Sequence, residues 1–140
     1  MSEAPPFAFL ADTSAWIELL RATGSAVDLA LSEALREGRP VSVTGVVIQE
    51  VLAGCRDEDH AEDVRRLLEP CNLLDPVHPA TYEHAAALYR RCRAAGRQVR
   101  GTVDCLIAAI ALESSATVVA IDRDMATLHA VCRVPLWPPP

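Results

Sequence analysis

The stretch TVVAID, residues 117–122, is an uncharged, mostly apolar run, TVVAI, followed by an aspartate. A run of this length, rich in β-branched residues, suits a strand buried on both faces of a parallel sheet. FAFLA at residues 7–11 repeats the pattern and ends on Asp12. Weaker strand patterns lie at VSV (41–43), at NLL (72–74) and near Val134–Leu136. Helical patterns separate them, and strands alternating with helices predict an α/β fold. We expect an α/β/α sandwich around a central, mainly parallel sheet of four to five strands.

The helix boundaries are written in capping chemistry. Ser14 can cap a helix carrying Trp16, Ile17, Leu19 and Leu20 that stops near Gly24. Ser25 with Asp28 has the spacing of a capping box for a helix through Val27, Leu31 and Leu35, ended by Gly38 and Pro40. Thr44 opens a helix through Val47 and Val51. The acidic run DEDHAED (57–63) suits the positive end of another, which stops at Pro70 and pairs some acids with Arg65 and Arg66. It lacks the glycine and spacing of a calcium loop. Pro79 leads into a helix through Tyr82, Ala86, Tyr89 and Cys92 that ends near Gly96.

Bulk properties narrow the function. A chain of 140 residues fits one domain, and its longest apolar runs fall far short of the roughly 20 residues of a membrane span. No basic-then-apolar leader precedes the first strand pattern, so the expected compartment is the cytoplasm. Five cysteines, Cys55, Cys71, Cys92, Cys105 and Cys132, form no C-x-x-C pair and read as reduced, mostly buried thiols. All 13 basic residues are arginine. Chemistry that needs a lysine is therefore excluded, and the formal charge of −6 offers no general attraction to nucleic acid.

Four carboxylates stand out. Asp12 and Asp122 directly follow strand patterns, and ligands of open α/β sheets bind beyond the carboxyl ends of the strands. Asp104 lies on an apolar helix face, with Ile107, Ala108 and Ala111 following at helical spacing. Glu50 is expected on an apolar face as well, beside Val46 and Val47. Each has an ordinary structural explanation, as a helix cap or a first-turn acid. Four that the topology can gather at one sheet edge need a counter-charge. Arg100 is a candidate partner for Asp104, and Arg123 for Asp122 and Asp124. A divalent cation, magnesium or manganese, suits hard oxygen donors and would supply phosphodiester hydrolysis.

LADTSAWIELL (10–20), TGVVIQEVLAG (44–54), GTVDCLIAAIAL (101–112) and VVAIDRDMATL (118–128) resemble, in order, the four acidic motifs of PIN-domain ribonucleases. The resemblance is greatest to the VapC toxins of bacterial toxin–antitoxin pairs. It implies a PIN-like sandwich, Mg2+- or Mn2+-dependent endoribonuclease activity, a homodimer, and neutralisation by a VapB-type antitoxin. It also assigns Asp12, Glu50, Asp104 and Asp122 as the core acids, Asp124 as a further metal ligand, and Thr13, Ser14 and Thr44 as polar supports. Met125 stands where the family usually has phenylalanine.

Setting aside the five site acids raises the formal charge from −6 to −1. Arg90, Arg91, Arg93, Arg97 and Arg100 cluster just before Asp104, and Arg93, Arg97 and Arg100 are candidates for holding an RNA backbone. The alternative is a solvated helix face with pairs to acids such as Glu83. The apolar residues of 14–37 exceed what one sheet face requires, so part of that helix pair is a candidate dimer or antitoxin groove, with core packing the competing use. A basic side chain from a partner could inhibit by replacing the cation in the acidic pocket. Two rivals fit less well: a phosphoacceptor receiver domain wants a lysine, and a haloacid-dehalogenase-like phosphatase wants an aspartate where Ser14 stands. A non-catalytic PIN-like module binding RNA or protein is the remaining alternative.

Overall fold

In the computed structural model, which describes residues 9–76 and 78–140, five strands form one sheet in the order β3-β2-β1-β4-β5. The elements run β1 (Phe9–Ala11), α1 (Thr13–Leu20), α2 (Ala26–Arg36), β2 (Val41–Val43), α3 (Gly45–Ala53) and α4 (Glu58–Leu68). Then follow β3 (Asn72–Leu73), α5 (Pro79–Ala94), α6 (Val103–Glu113), β4 (Thr117–Val119), α7 (Arg123–Cys132) and β5 (Leu136–Trp137). Every strand pair is parallel, with Phe9 opposite both Val41 and Thr117. All the strand patterns are realised, although the last lies at Leu136–Trp137 rather than 134–136. Residues 7 and 8 of the FAFLA run lie outside the described residues.

The topology fixes the layers. From β1 the chain steps outward to β2 and β3, then crosses back to β4 and β5 on the other side of β1. Right-handed crossovers in opposite directions put their helices on opposite faces of the sheet. Accordingly α1 packs on α2 and α3, whereas α5 packs on α6 and α7. Reversal of direction at β1 and β4 opens a crevice between their carboxyl ends, where Asp12 donates its amide to the Val119 carbonyl at 3.0 Å.

Burial follows the hydrophobic pattern with two departures. Trp16, Leu31, Leu88, Ile107, Met125 and Leu128 are fully buried. Helix α6 is apolar nearly all round, burying Cys105 and Ile107 through Ala111, as a helix enclosed by neighbours must. On α5 the buried stripe is Thr81, Ala85, Leu88 and Cys92; of the residues that traced this helix in the sequence Cys92 lies in it, whereas Tyr82 is 55% exposed. The second departure is Glu50, which is exposed. The buried line of α3 runs through Val47 and Val51, and Glu50 sits one 100° helical step off it.

Caps follow the sequence except at α1. Ser25, Thr44 and Asp57 cap α2, α3 and α4, accepting from the amides of Asp28, Val47 and His60. Glu62 pairs with Arg65 at 2.8 Å and Arg66 at 3.4 Å. Helix α1, by contrast, is capped by Asp12, and Ser14 is the donor. An ionised carboxylate at the positive helix end outcompetes a hydroxyl as acceptor.

Candidate metal centre

Asp12 sits at the end of β1 and is only 3% exposed. Its Oδ2 accepts from the Ser14 amide at 3.1 Å and the Ser14 hydroxyl at 2.7 Å. The Ser14 oxygen in turn accepts from the Ile121 amide at 3.0 Å, which ties the exits of β1 and β4 together. Asp12 Oδ1 is buried without a hydrogen-bond partner. Burial raises the Asp12 carboxyl above its ordinary value, opposed by the Ser14 bonds and reinforced by the charge of Asp122.

Asp122 divides its oxygens in the same way. Oδ2 caps α7 by accepting from the Met125 amide at 2.9 Å, which leaves Oδ1 for the crevice. Asp104 enters from the first turn of α6, half-buried. Burial first, then the charges of Asp12 and Asp122, push its carboxyl up to about 8. With Asp124, which is 6% exposed, Asp104 and Asp122 place carboxylate oxygens within 4.8 Å of one another.

Glu50 stands outside this trio. The Thr13 hydroxyl donates to its Oε1 at 2.7 Å, so α3 is linked to the first residue of α1 at the crevice. Thr44 is fully buried, and its hydroxyl caps α3. Arg100 is paired differently from its sequence-based assignment. Its Nε lies 3.1 Å from Asp124 Oδ2 and its Nη2 lies 3.6 Å from Asp122 Oδ1. It thus takes the partners assigned to Arg123, which is exposed on the first turn of α7. No local spacing signals this contact, because 24 residues separate Arg100 from Asp124.

These donors fit a divalent cation. All are hard oxygens, the charges repel one another, and Asp12 Oδ1 is the buried acceptor that a cation would satisfy. Such a group of carboxylates beside a phosphodiester can support hydrolysis only with a cation present, because it otherwise repels the substrate.

The PIN domain family profile matches residues 9–130. The chain belongs to this family. Among curated PIN relatives, Ribonuclease VapC11 of Mycobacterium tuberculosis is 35% identical over 116 residues, covering 82% of this chain and 87% of the relative. The toxin–antitoxin complex VapBC-5 of Mycobacterium tuberculosis contains a chain that is 27% identical, with a TM-score of 0.64 over 94% of this PIN domain and 98% of that chain. VapBC2 of Rickettsia felis, bound to a promoter DNA fragment, contains a chain of the same fold, 14% identical, with a TM-score of 0.72 over 93% of this chain and 97% of that one. Among the described residues, no helix is long and apolar enough to cross a membrane.

Proposed function

We propose that this PIN domain is a Mg2+- or Mn2+-dependent endoribonuclease and the toxin of a toxin–antitoxin pair. The observation that supports this reading is the crowding of Asp104, Asp122 and Asp124 within 4.8 Å beyond the sheet's carboxyl edge, with Asp12 near enough for its charge to act on Asp104 and its Oδ1 buried and unpaired. The 35% identity to a chain named a ribonuclease supports the substrate class. When bound, the cation supplies charge neutralisation at the scissile phosphate and activation of water. Asp12, Asp104 and Asp122 would hold it, with Asp124 beside them and Glu50 reaching in from α3. Ser14 fixes the carboxylate plane of Asp12, Thr13 steers Glu50, and Thr44 secures the start of α3.

Arg93 and Arg97 are our candidates for contacting the RNA backbone. Both are exposed, and among the described residues no ion pair joins Glu83 to them. The Arg93 guanidinium lies over the Tyr89 ring, 5.9 Å from its centre. Arg100 belongs to the same cluster, although its guanidinium is turned toward the acids.

A groove of about 320 Å3 beside Glu50, lined by Ile17, Leu20, Val51 and Cys55 among others, is a fitting seat for a VapB-type antitoxin. Ile17 and Leu20 are each 37% exposed, whereas Trp16 and Leu31 are committed to the core. The VapBC complexes among the structural neighbours support such a partner. We also propose a homodimer and, from five free cysteines, a reducing cytoplasmic location.

The test is incubation of antitoxin-free protein with total RNA and Mg2+ or Mn2+, against chelator and the Asp12→Asn and Asp104→Asn variants. We expect cleavage only with cation and intact acids. Cleavage that survives the substitutions would have another origin, and no cleavage of any RNA by the intact chain would favour a non-catalytic binding module.

A further inference from the structure

The positive charge nearest the acids comes from within the chain. Arg100 precedes α6 and reaches across to α7, where Asp124 Oδ2 accepts from both its Nε and its backbone amide at 3.1 Å. Its Nη2 faces Asp122 Oδ1 at 3.6 Å. That oxygen matters because Asp122 Oδ2 is already committed to capping α7. The guanidinium therefore lies against the Asp122 oxygen left for a cation. At the same time the Arg100 side chain is 65% exposed, so solvent lets it leave, whereas the Asp124 side chain is only 8% exposed and stays.

We propose that Arg100 is a built-in counter-ion that competes with the divalent cation for Asp122 and Asp124, and so sets how tightly the site holds metal. This rests on reading the acid cluster as a cation site. Without metal, the guanidinium offsets the repulsion among Asp104, Asp122 and Asp124, whose oxygens crowd within 4.8 Å. A cation entering the crevice must replace it at Asp122 Oδ1, so metal affinity is lowered by the free energy of that pairing. Arg100 is thereby a positioning residue acting through the carboxylates. The backbone contribution is separable: the Arg100 amide keeps its bond to Asp124 whatever the side chain, so removing the guanidinium removes charge without releasing Asp124.

The experiment is calorimetric titration of Mn2+ into the chelator-stripped full chain, comparing wild type, Arg100→Gln, Arg100→Lys and Asp104→Asn. Arg100→Gln should bind Mn2+ about ten-fold more tightly, the effect of one unit charge near a divalent ion in a water-like dielectric. Arg100→Lys, which restores the charge, should return affinity to within about three-fold of wild type. Asp104→Asn should weaken binding. Equal or weaker Mn2+ binding by Arg100→Gln, alongside measurable binding by wild type, would overturn the competition and leave the cation site standing. No Mn2+ binding by wild type or Arg100→Gln would remove the cation site itself, and the competition with it. Circular dichroism of each variant confirms that affinities are compared between folded proteins.

Discussion

Asp104 shows how a single residue can be costly for the fold and useful for chemistry. Burial first, then the charges of Asp12 and Asp122, push its carboxyl up to about 8, so near pH 7 the metal-free protein holds it mostly protonated, at a cost to the fold. Asp104→Asn keeps the shape and removes the ionisable group. We expect this variant to lose at least about a hundred-fold in RNA cleavage, the scale of removing one group that stabilises charge at the reacting centre. Its thermal midpoint in chelator should equal or exceed that of wild type. A lower midpoint, measured by calorimetry near pH 7, would show that Asp104 supports the fold. Identity of the acids at strand ends and helix starts was visible in the sequence because residue type and local period carry it. Their division of labour was not. That Asp12 and Asp122 each spend Oδ2 on a cap and keep Oδ1, or that Arg100 crosses to α7, depends on side-chain geometry between distant segments.

At the scale of elements, the crevice depends on where each helix starts. Asp75, just beyond β3, accepts from the amide of Gly45 at 2.8 Å and so fixes the first residue of α3, the helix that carries Glu50. A Cβ on Gly45 would lie 2.9 Å from Asp75 Oδ2. Gly45→Ala must turn that exposed carboxylate aside, and because the side chain can swing into solvent and alanine favours the helix by up to about 1 kcal/mol, the net cost by urea denaturation should be no more than about 1 kcal/mol. Combining it with Asp75→Ala should be less than additive, because the two substitutions break one contact. A second clasp joins α5 to α6, where Glu113 accepts from the Thr81 hydroxyl at 2.6 Å and pairs with His84 Nδ1 at 2.7 Å. The Thr81 bond first, then His84, hold Glu113 below its ordinary value of 4.5. A depressed carboxyl stabilises the fold above its unfolded value and loses that contribution as pH falls through the folded one. The thermal midpoint of wild type should therefore exceed that of Glu113→Gln by about 1–2 °C at pH 6, small because the pair is exposed, and the gap should close below pH 4.5. A gap independent of pH would assign the difference to packing. The sequence marked the start of α5 through Pro79 and a helix through Tyr82, Ala86, Tyr89 and Cys92, of which Cys92 is buried and Tyr89 packs partly buried against the core. Tyr82 is exposed, and the small faces of Ala85 and Thr81 are what close approach to α6 selects.

For the whole molecule the problem is charge. The chain carries −6, and three of its 19 acids crowd within 4.8 Å of one another at the crevice where a polyanion must arrive. A cation in the crevice offsets part of this, but only over short range, since screening confines it to about 8–10 Å at physiological salt. Arg93 in the last turn of α5 and Arg97 just beyond it are exposed and without acidic partners within ion-pair distance among the described residues. If they hold phosphate, RNA binding releases counterions in proportion to the contacts made, about 0.7 per phosphate for a single strand. In an Asp104→Asn background, expected to bind without cutting, Arg93→Ala with Arg97→Ala should weaken affinity for single-stranded RNA. The same pair of changes should lower the slope of log affinity against log salt by about 1.4, two contacts' worth. Fluorescence anisotropy across a salt series reads both quantities. A loss of affinity with an unchanged slope would mean that the arginines act through shape, for example by fixing the Tyr89 ring, and no loss at all would return them to the solvated surface.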